Sequence, residues 1–187
     1  MAVRAFAMVG EVPPILAGKR LDQVARSVHE NFLREGRYKR GDVTMMPYEY
    51  LTDQFQESNR QQVAYMVHAI RAAGYDVREA PGKTAALLSF TDKEEVELLA
   101  EMEHGRWIVE RLRWGWRYGP KREPEKKISP HLVAWSDLPD NSREYDRHSV
   151  REWPRFLADA GLEVFRPVAQ RATGAARAKK PRGGKKK

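Results

Sequence analysis

The sequence predicts a mainly α-helical chain in which one helical unit is built twice, followed by a disordered basic tail. Three observations carry that prediction. Four stretches space their apolar residues at helical intervals and stop at or beside a glycine. Residues 51–77 overlay residues 138–164 without a gap at a constant offset of 87. Each overlaid stretch ends in a short extended run, Tyr75-Asp76-Val77 in one and Leu162-Glu163-Val164-Phe165 in the other.

The first helix follows Pro13-Pro14 and carries Leu21, Val24, Ala25, Val28, Phe32 and Leu33 on one stripe, with His29 inside it and Gly36 as its stop. Residues 48–51 read as an extended lead-in. The second helix spans about 58–73, with Val63, Met66, Val67 and Ile70 as its buried face and Gly74 ending it. A linker begins at Ala80-Pro81-Gly82. Thr91 and Glu94 then have the spacing of a hydroxyl cap and a returning acid, so the third helix opens there. It turns Val96, Leu99, Ala100, Trp107 and Ile108 inward and runs to about Trp114. The fourth helix spans about 142–160, and Pro154 within it is expected to kink it by removing a donor and crowding the preceding turn.

In the repeat, Leu51/Leu138, Asp53/Asp140, Glu57/Glu144, Arg60/Arg147, Val63/Val150, Ala73/Ala160, Gly74/Gly161 and Val77/Val164 are identical pairs. The first helices of the two units match at an offset of 75: Ala25/Ala100, His29/His104, Phe32/Trp107, Leu33/Ile108. The second unit therefore holds 12 extra residues between its helices, a loop rich in aromatic and cationic groups. The boundaries read as 1–79 for the first unit, 80–91 for a linker, 92–168 for the second unit and 169–187 for the tail.

Composition narrows the function classes. With no cysteine there is no disulfide framework and no thiolate zinc site. No run approaches the ~18 apolar residues of a spanning helix, and the N-terminus is too short and weakly apolar for a signal peptide, so a soluble, cytoplasmic protein with no membrane partner is expected. The net charge of +8 comes from nine Lys and Arg residues, with no acid, from Arg166 onward. Gly- and Lys-rich and without apolar period, that tail is expected to be disordered. It is either a solubilising segment or a weak nucleic-acid contact.

The second unit carries Ala100-x-x-x-His104-x-x-Trp107, Gly115-Trp116-Arg117-Tyr118-Gly119, Pro130-x-Leu132-Val133-x-Trp135-x-x-Leu138-Pro139, Tyr145-Asp146-Arg147 and Ala160-Gly161. In these it resembles the RyR domain, the repeat named after ryanodine receptors and found also in bacterial and phage proteins. The first unit resembles a bacterial branch of the same domain through Ala25-x-x-x-His29-Glu30-Asn31, Tyr48-x-x-Leu51 and Glu57-Ser58-Asn59-Arg60-x-Gln62, but lacks the Gly-Trp-x-Tyr-Gly loop. The resemblance implies units of two antiparallel helices with short strands, set as a pseudo-twofold pair. It implies no catalysis and no cofactor. It points to sensing or sequestering of a nucleotide-derived small molecule in bacterial or phage defence signalling.

The residues allow that function without demanding it. His29 and His104 lie on inner stripes, either as core histidines bonded to a carbonyl or as pocket groups. Trp107, Trp116 and Tyr118 either pack or stack on a base, and Arg117 either solvates the loop or holds a phosphate. Arg60 and Arg147, beside Asn59 and Asp146 near the start of a helix, form either an anion site or an arginine–acid clasp. Tyr48 and Tyr145 complete the set. No nucleophile–base pairing and no metal-ligand spacing is present. The expected function is non-catalytic binding of a nucleotide-like or phosphorylated small molecule. A protein-interaction module that docks an effector, action through the tail on nucleic acid, and self-association into a homo-oligomer stand as alternatives.

Overall fold

The computed structural model describes residues 11–36, 38, 41–82 and 87–167. The expectation of a disordered tail over 169–187 lies outside them. Four helices dominate: α1 Arg20–Glu35, α2 Asp53–Ala72, α3 Lys93–Arg113 and α4 Asp140–Ala158. Strands β1 Asp76–Glu79 and β4 Leu162–Phe165 follow α2 and α4. The aromatic loop between α3 and α4 contains β2 Arg117–Tyr118 and β3 Ile128–Ser129. None of the described helices is long and apolar enough to cross a membrane.

Each half packs its two helices together, and one continuous core joins the halves. The α2 stripe of the sequence, Val63, Met66, Val67 and Ile70, is fully buried, as are Val150, Trp153, Phe156 and Leu157 on α4, and Val24, Ala25, Leu99 and Ala100 join them in the core. Removing this apolar area from water is the main stabilising term. Gly36 ends α1 with φ +59°, a left-handed conformation that costs a side-chain-bearing residue free energy, and donates its N–H to the Leu33 carbonyl.

The two strands expected to lie apart in sequence pair with each other. β1 runs antiparallel to β4 with Val77 opposite Val164, and Val164 is the residue that corresponds to Val77 at the offset of 87. Asp76↔Phe165 and Arg78↔Glu163 are interchanged by the same operation. A pseudo-twofold axis therefore passes between the two valines, and the halves are pseudo-symmetric about it. The single 3₁₀ turns Tyr48–Tyr50 and Trp135–Asp137 are equivalents under the same offset.

Several local expectations shift. α2 begins at Asp53 and α4 at Asp140, five and two residues before the expected starts, because Asp53 and Asp140 supply the first-turn acid that suits the positive end of a helix. Residues 48–50 form a 3₁₀ turn rather than an extended lead-in. The cap of α3 is Asp92, not Thr91: its carboxylate accepts the Glu95 N–H at 2.9 Å. Helix α4 runs unbroken through Pro154, which is buried in the core.

Candidate functional site

The sequence places the same clasp in both halves. In the second, Arg147 donates to Glu97 (2.7 Å), Asp140 (2.9 Å) and Glu144 (3.3 Å), and Trp135 Nε1 donates to the other Glu97 oxygen at 2.8 Å. In the first, Arg60 donates to Asp22 (2.7 Å) and Glu57 (3.4 Å), and the Tyr48 hydroxyl donates to Asp22 at 3.3 Å. Asp22 and Glu97 correspond at offset 75, Tyr48 and Trp135 at offset 87. The Arg147 bond first, and the Trp135 bond with it, hold the Glu97 carboxyl below its ordinary range against burial. Arg60, Arg147 and Tyr48 thus tie helix to turn, and none of the three lines the cleft between the halves. For Arg60 and Arg147 the clasp, not the anion site, is the geometry found.

The histidines are also equivalent. His29 Nε2 donates to the Met46 carbonyl at 2.7 Å, and His104 Nε2 to the Val133 carbonyl at 2.9 Å. Each ring stacks on the aromatic one turn along: His29 on Phe32 (5.8 Å between centroids, 25°), His104 on Trp107 (5.9 Å, 20°). Burial lowers the pKa of His29, outweighing the Met46 bond and Glu30, so this ring is neutral near pH 7. With Nε2–H donating, its Nδ1 carries a lone pair. His104 Nδ1 lies 3.5 Å from Asp146, where the first half has Asn59.

These pairs meet in one cleft between the halves, of about 180 Å³. Of the residues the sequence nominates, His29, Asn59, His104, Trp107, Tyr145 and Asp146 line it. Trp116, Arg117 and Tyr118 do not. The loop holding them folds on itself, with Arg117 N–H donating to Lys127 O at 2.9 Å and Gly119 N–H to Ser129 O at 3.3 Å. This leaves Arg117 exposed and Tyr118 60 % exposed, and sinks Trp116 to 5 %.

Charges that the sequence pattern does not nominate line the cleft instead. Arg106, buried on α3, donates to both oxygens of Glu103 (Nε at 3.0 Å) and to Glu110, which also accepts the Ser58 hydroxyl from α2 at 2.6 Å. Burial pushes Glu103 up to about 7 despite Arg106. Burial opposes the charge of Arg106, but Glu103 and Glu110 outweigh it and hold its pKa above the ordinary arginine value. Next along α3, Arg111 is ringed by Phe55, Trp107, Trp114 and Trp116, its guanidinium carbon 5.1–5.6 Å from each ring centroid. Burial lowers its pKa to about 10. Arg122, from the aromatic loop, closes the wall by donating to both oxygens of Asp42 in the first half at 3.1 and 3.3 Å and stacking 3.9 Å over Tyr38.

The helix α3, the inserted loop and the α4 clasp coincide with a known family. Residues 84–166 match the RyR domain. The match spans α3, the aromatic loop, α4 and β4, and the cleft is completed by α1 and α2 from the preceding half. Among the described residues, no group of three or more His, Asp or Glu side chains is placed to hold a metal ion.

A sequence signal for the buried charges existed. Leu99, Glu103, Arg106 and Glu110 follow the i, i+4, i+7, i+11 stripe of α3, so the acids and the arginine continue a face that begins apolar.

Proposed function

We propose that this protein binds a small nucleotide-like or phosphorylated molecule, without transforming it, in the cleft between its halves. The observation that supports this best is the convergence of two stacked histidine–aromatic pairs on that cleft, His29–Phe32 from one side and His104–Trp107 from the other. Ring faces favour a planar ligand. His29 Nδ1 offers an acceptor to an N–H or O–H of the ligand, and Asn59 adds donor and acceptor groups. At about 180 Å³ the cleft is smaller than the ~300–1,000 Å³ that enclose drug-sized ligands, which favours one ring system with its substituents reaching the mouth. We further propose that the first half is a diverged copy of the RyR unit, supported by the shared clasp and the shared histidine bond. On this reading the pair serves a bacterial or phage signalling system by holding its ligand and presenting the occupied cleft to a partner protein.

The test is tryptophan fluorescence with a panel of nucleosides and nucleotides, beside mass spectrometry of small molecules that co-purify. Trp107 lines the cleft, so a stacked base should quench saturably, and Trp107→Ala should weaken binding at least ~10-fold. If no member of the panel quenches and none co-purifies, or if Trp107→Ala binds as the native protein does, the reading falls.

A further inference from the structure

Arg111 is the odd charge of the cleft. It is 9 % exposed, and among the described residues its guanidinium makes no hydrogen bond; Nη1 is fully occluded without a partner. The nearest acid, Glu110, lies 4.0 Å away and is already taken by Arg106 and Ser58. Arg122 stands by the same Trp116 ring but is committed to Asp42. A buried arginine without hydrogen bonds is costly, since desolvation is compensated only by the surrounding ring faces. Its rigid fork of donors is suited to two oxygens of one oxyanion.

We propose that Arg111 is the anion-binding residue of the cleft and that the ligand carries a phosphate or carboxylate against it. This rests on the reading of the cleft as a ring-binding site, and it assigns the charged end of the ligand to the α3 side. The four rings fix the guanidinium plane before the ligand arrives, so little side-chain entropy is lost on binding. Among the described residues, the first half has no arginine at the equivalent position, where Gly36 stands. The ligand is therefore oriented, despite the pseudo-twofold of the scaffold.

The experiment titrates inorganic phosphate into the full chain at constant ionic strength, following tryptophan emission, because Trp107, Trp114 and Trp116 all contact Arg111. The native protein should respond saturably, in about the millimolar range, and Arg111→Met should not respond. Met retains the length and apolar stem, so Arg111→Met should unfold at the same temperature as the native protein or higher; a residue present for stability would lower it. If Arg111→Met fails to fold, Arg111→Lys keeps the charge, loses the fork and should bind phosphate at least ~10-fold more weakly. No saturable response in the native protein, or equal responses in native and variant, overturns the assignment. Adenosine 5′-monophosphate and nicotinate, each beside its uncharged counterpart (adenosine and nicotinamide), separate a phosphate ligand from a carboxylate one. The nucleotide binding no more tightly than phosphate would leave Arg111 standing and sink the ring reading. Tighter nucleotide binding that ignores Arg111→Met would do the reverse.

Discussion

The two halves share a scaffold and differ in what they turn toward the cleft. Clasp, histidine bond, stacked aromatic, 3₁₀ turn and central valine recur at fixed offsets. Among residues that line the cleft, however, Val28 corresponds to Glu103, Asn31 to Arg106 and Asn59 to Asp146, and Arg111 has Gly36, outside the lining, as its counterpart. Positions that set helix geometry are alike in the two halves, while several that line the cleft differ in charge. The core changes as well, with Met66 standing where the second half has Trp153, but there apolar volume replaces apolar volume, whereas on the cleft walls charge replaces neutral groups. A core asks only for volume, whereas a ligand with unlike ends asks for unlike walls.

The largest expected effect tests the inserted loop, which the first half lacks. Trp116 packs its buried ring beside Arg111 and Arg122, so Trp116→Ala should cost about 3–5 kcal/mol in chemical denaturation. Arg117→Ala and Tyr118→Ala, on exposed positions of the same loop, should stay within about 0.5 kcal/mol. Equal costs for all three would mean the loop does not anchor through Trp116.

The second effect concerns Glu103, whose counterpart Val28 cannot titrate. Burial raises the folded pKa of Glu103 from 4.5 to about 7, so between those values the folded state keeps a proton that the unfolded chain has released. The contribution of Glu103 to stability is therefore highest below pH 4.5 and declines as pH rises to about 7. His29 acts in the opposite direction, because its lowered pKa penalises the folded state as pH falls below 6.5. Comparing native protein with Glu103→Gln across that range cancels His29. The native advantage over the variant should shrink as pH rises, by at most a few kcal/mol; a constant difference would show that Arg106 keeps Glu103 ionised throughout.

Much of the scaffold was legible in the sequence, for physical reasons visible residue by residue. Apolar stripes on α1 and α2 announce themselves because burial follows the helical period, and Gly36, Gly74 and Gly161 because each adopts positive φ. The pairing of β1 with β4 is not written in four-residue strands, which name no partner, but the offset of 87 makes the Val77–Val164 register a consequence of the symmetry. The site was half legible. His29, His104 and Trp107 reach the cleft as their inner positions suggest, and Asn59, Tyr145 and Asp146, for which the sequence indicates no inner face, line it as well. Arg106 and Arg111 were passed over because a charge on a helix ordinarily marks a solvated face, and only the packing of α3 against α2 and the aromatic loop reverses that here. Arg117 and Tyr118 drew notice by composition, and the backbone bonds between β2 and β3 turn them away.

The smallest effect compares the two clasps directly. Arg147 is 15 % exposed and holds three acids while lying 5.9 Å over the Trp135 ring. Arg60 is 28 % exposed and holds two. In both halves the acids are themselves substantially exposed, so solvent screens the pairs and the full strength of a buried charge-assisted bond is not available. Arg147→Ala should therefore cost about 1–2 kcal/mol, and Arg60→Ala less than about 1 kcal/mol. Removing Arg147 also leaves Glu97 with only the Trp135 Nε1 bond and the nearby charge of Arg143, so Glu97 should titrate closer to an ordinary glutamate, which carbon-detected NMR of its carboxyl would read. The double variant should cost the sum of the two, because the clasps share no partner. A strong departure from additivity would mean that the halves communicate through the core they share, and the clasps would then belong to one mechanical unit rather than to two copies of a scaffold.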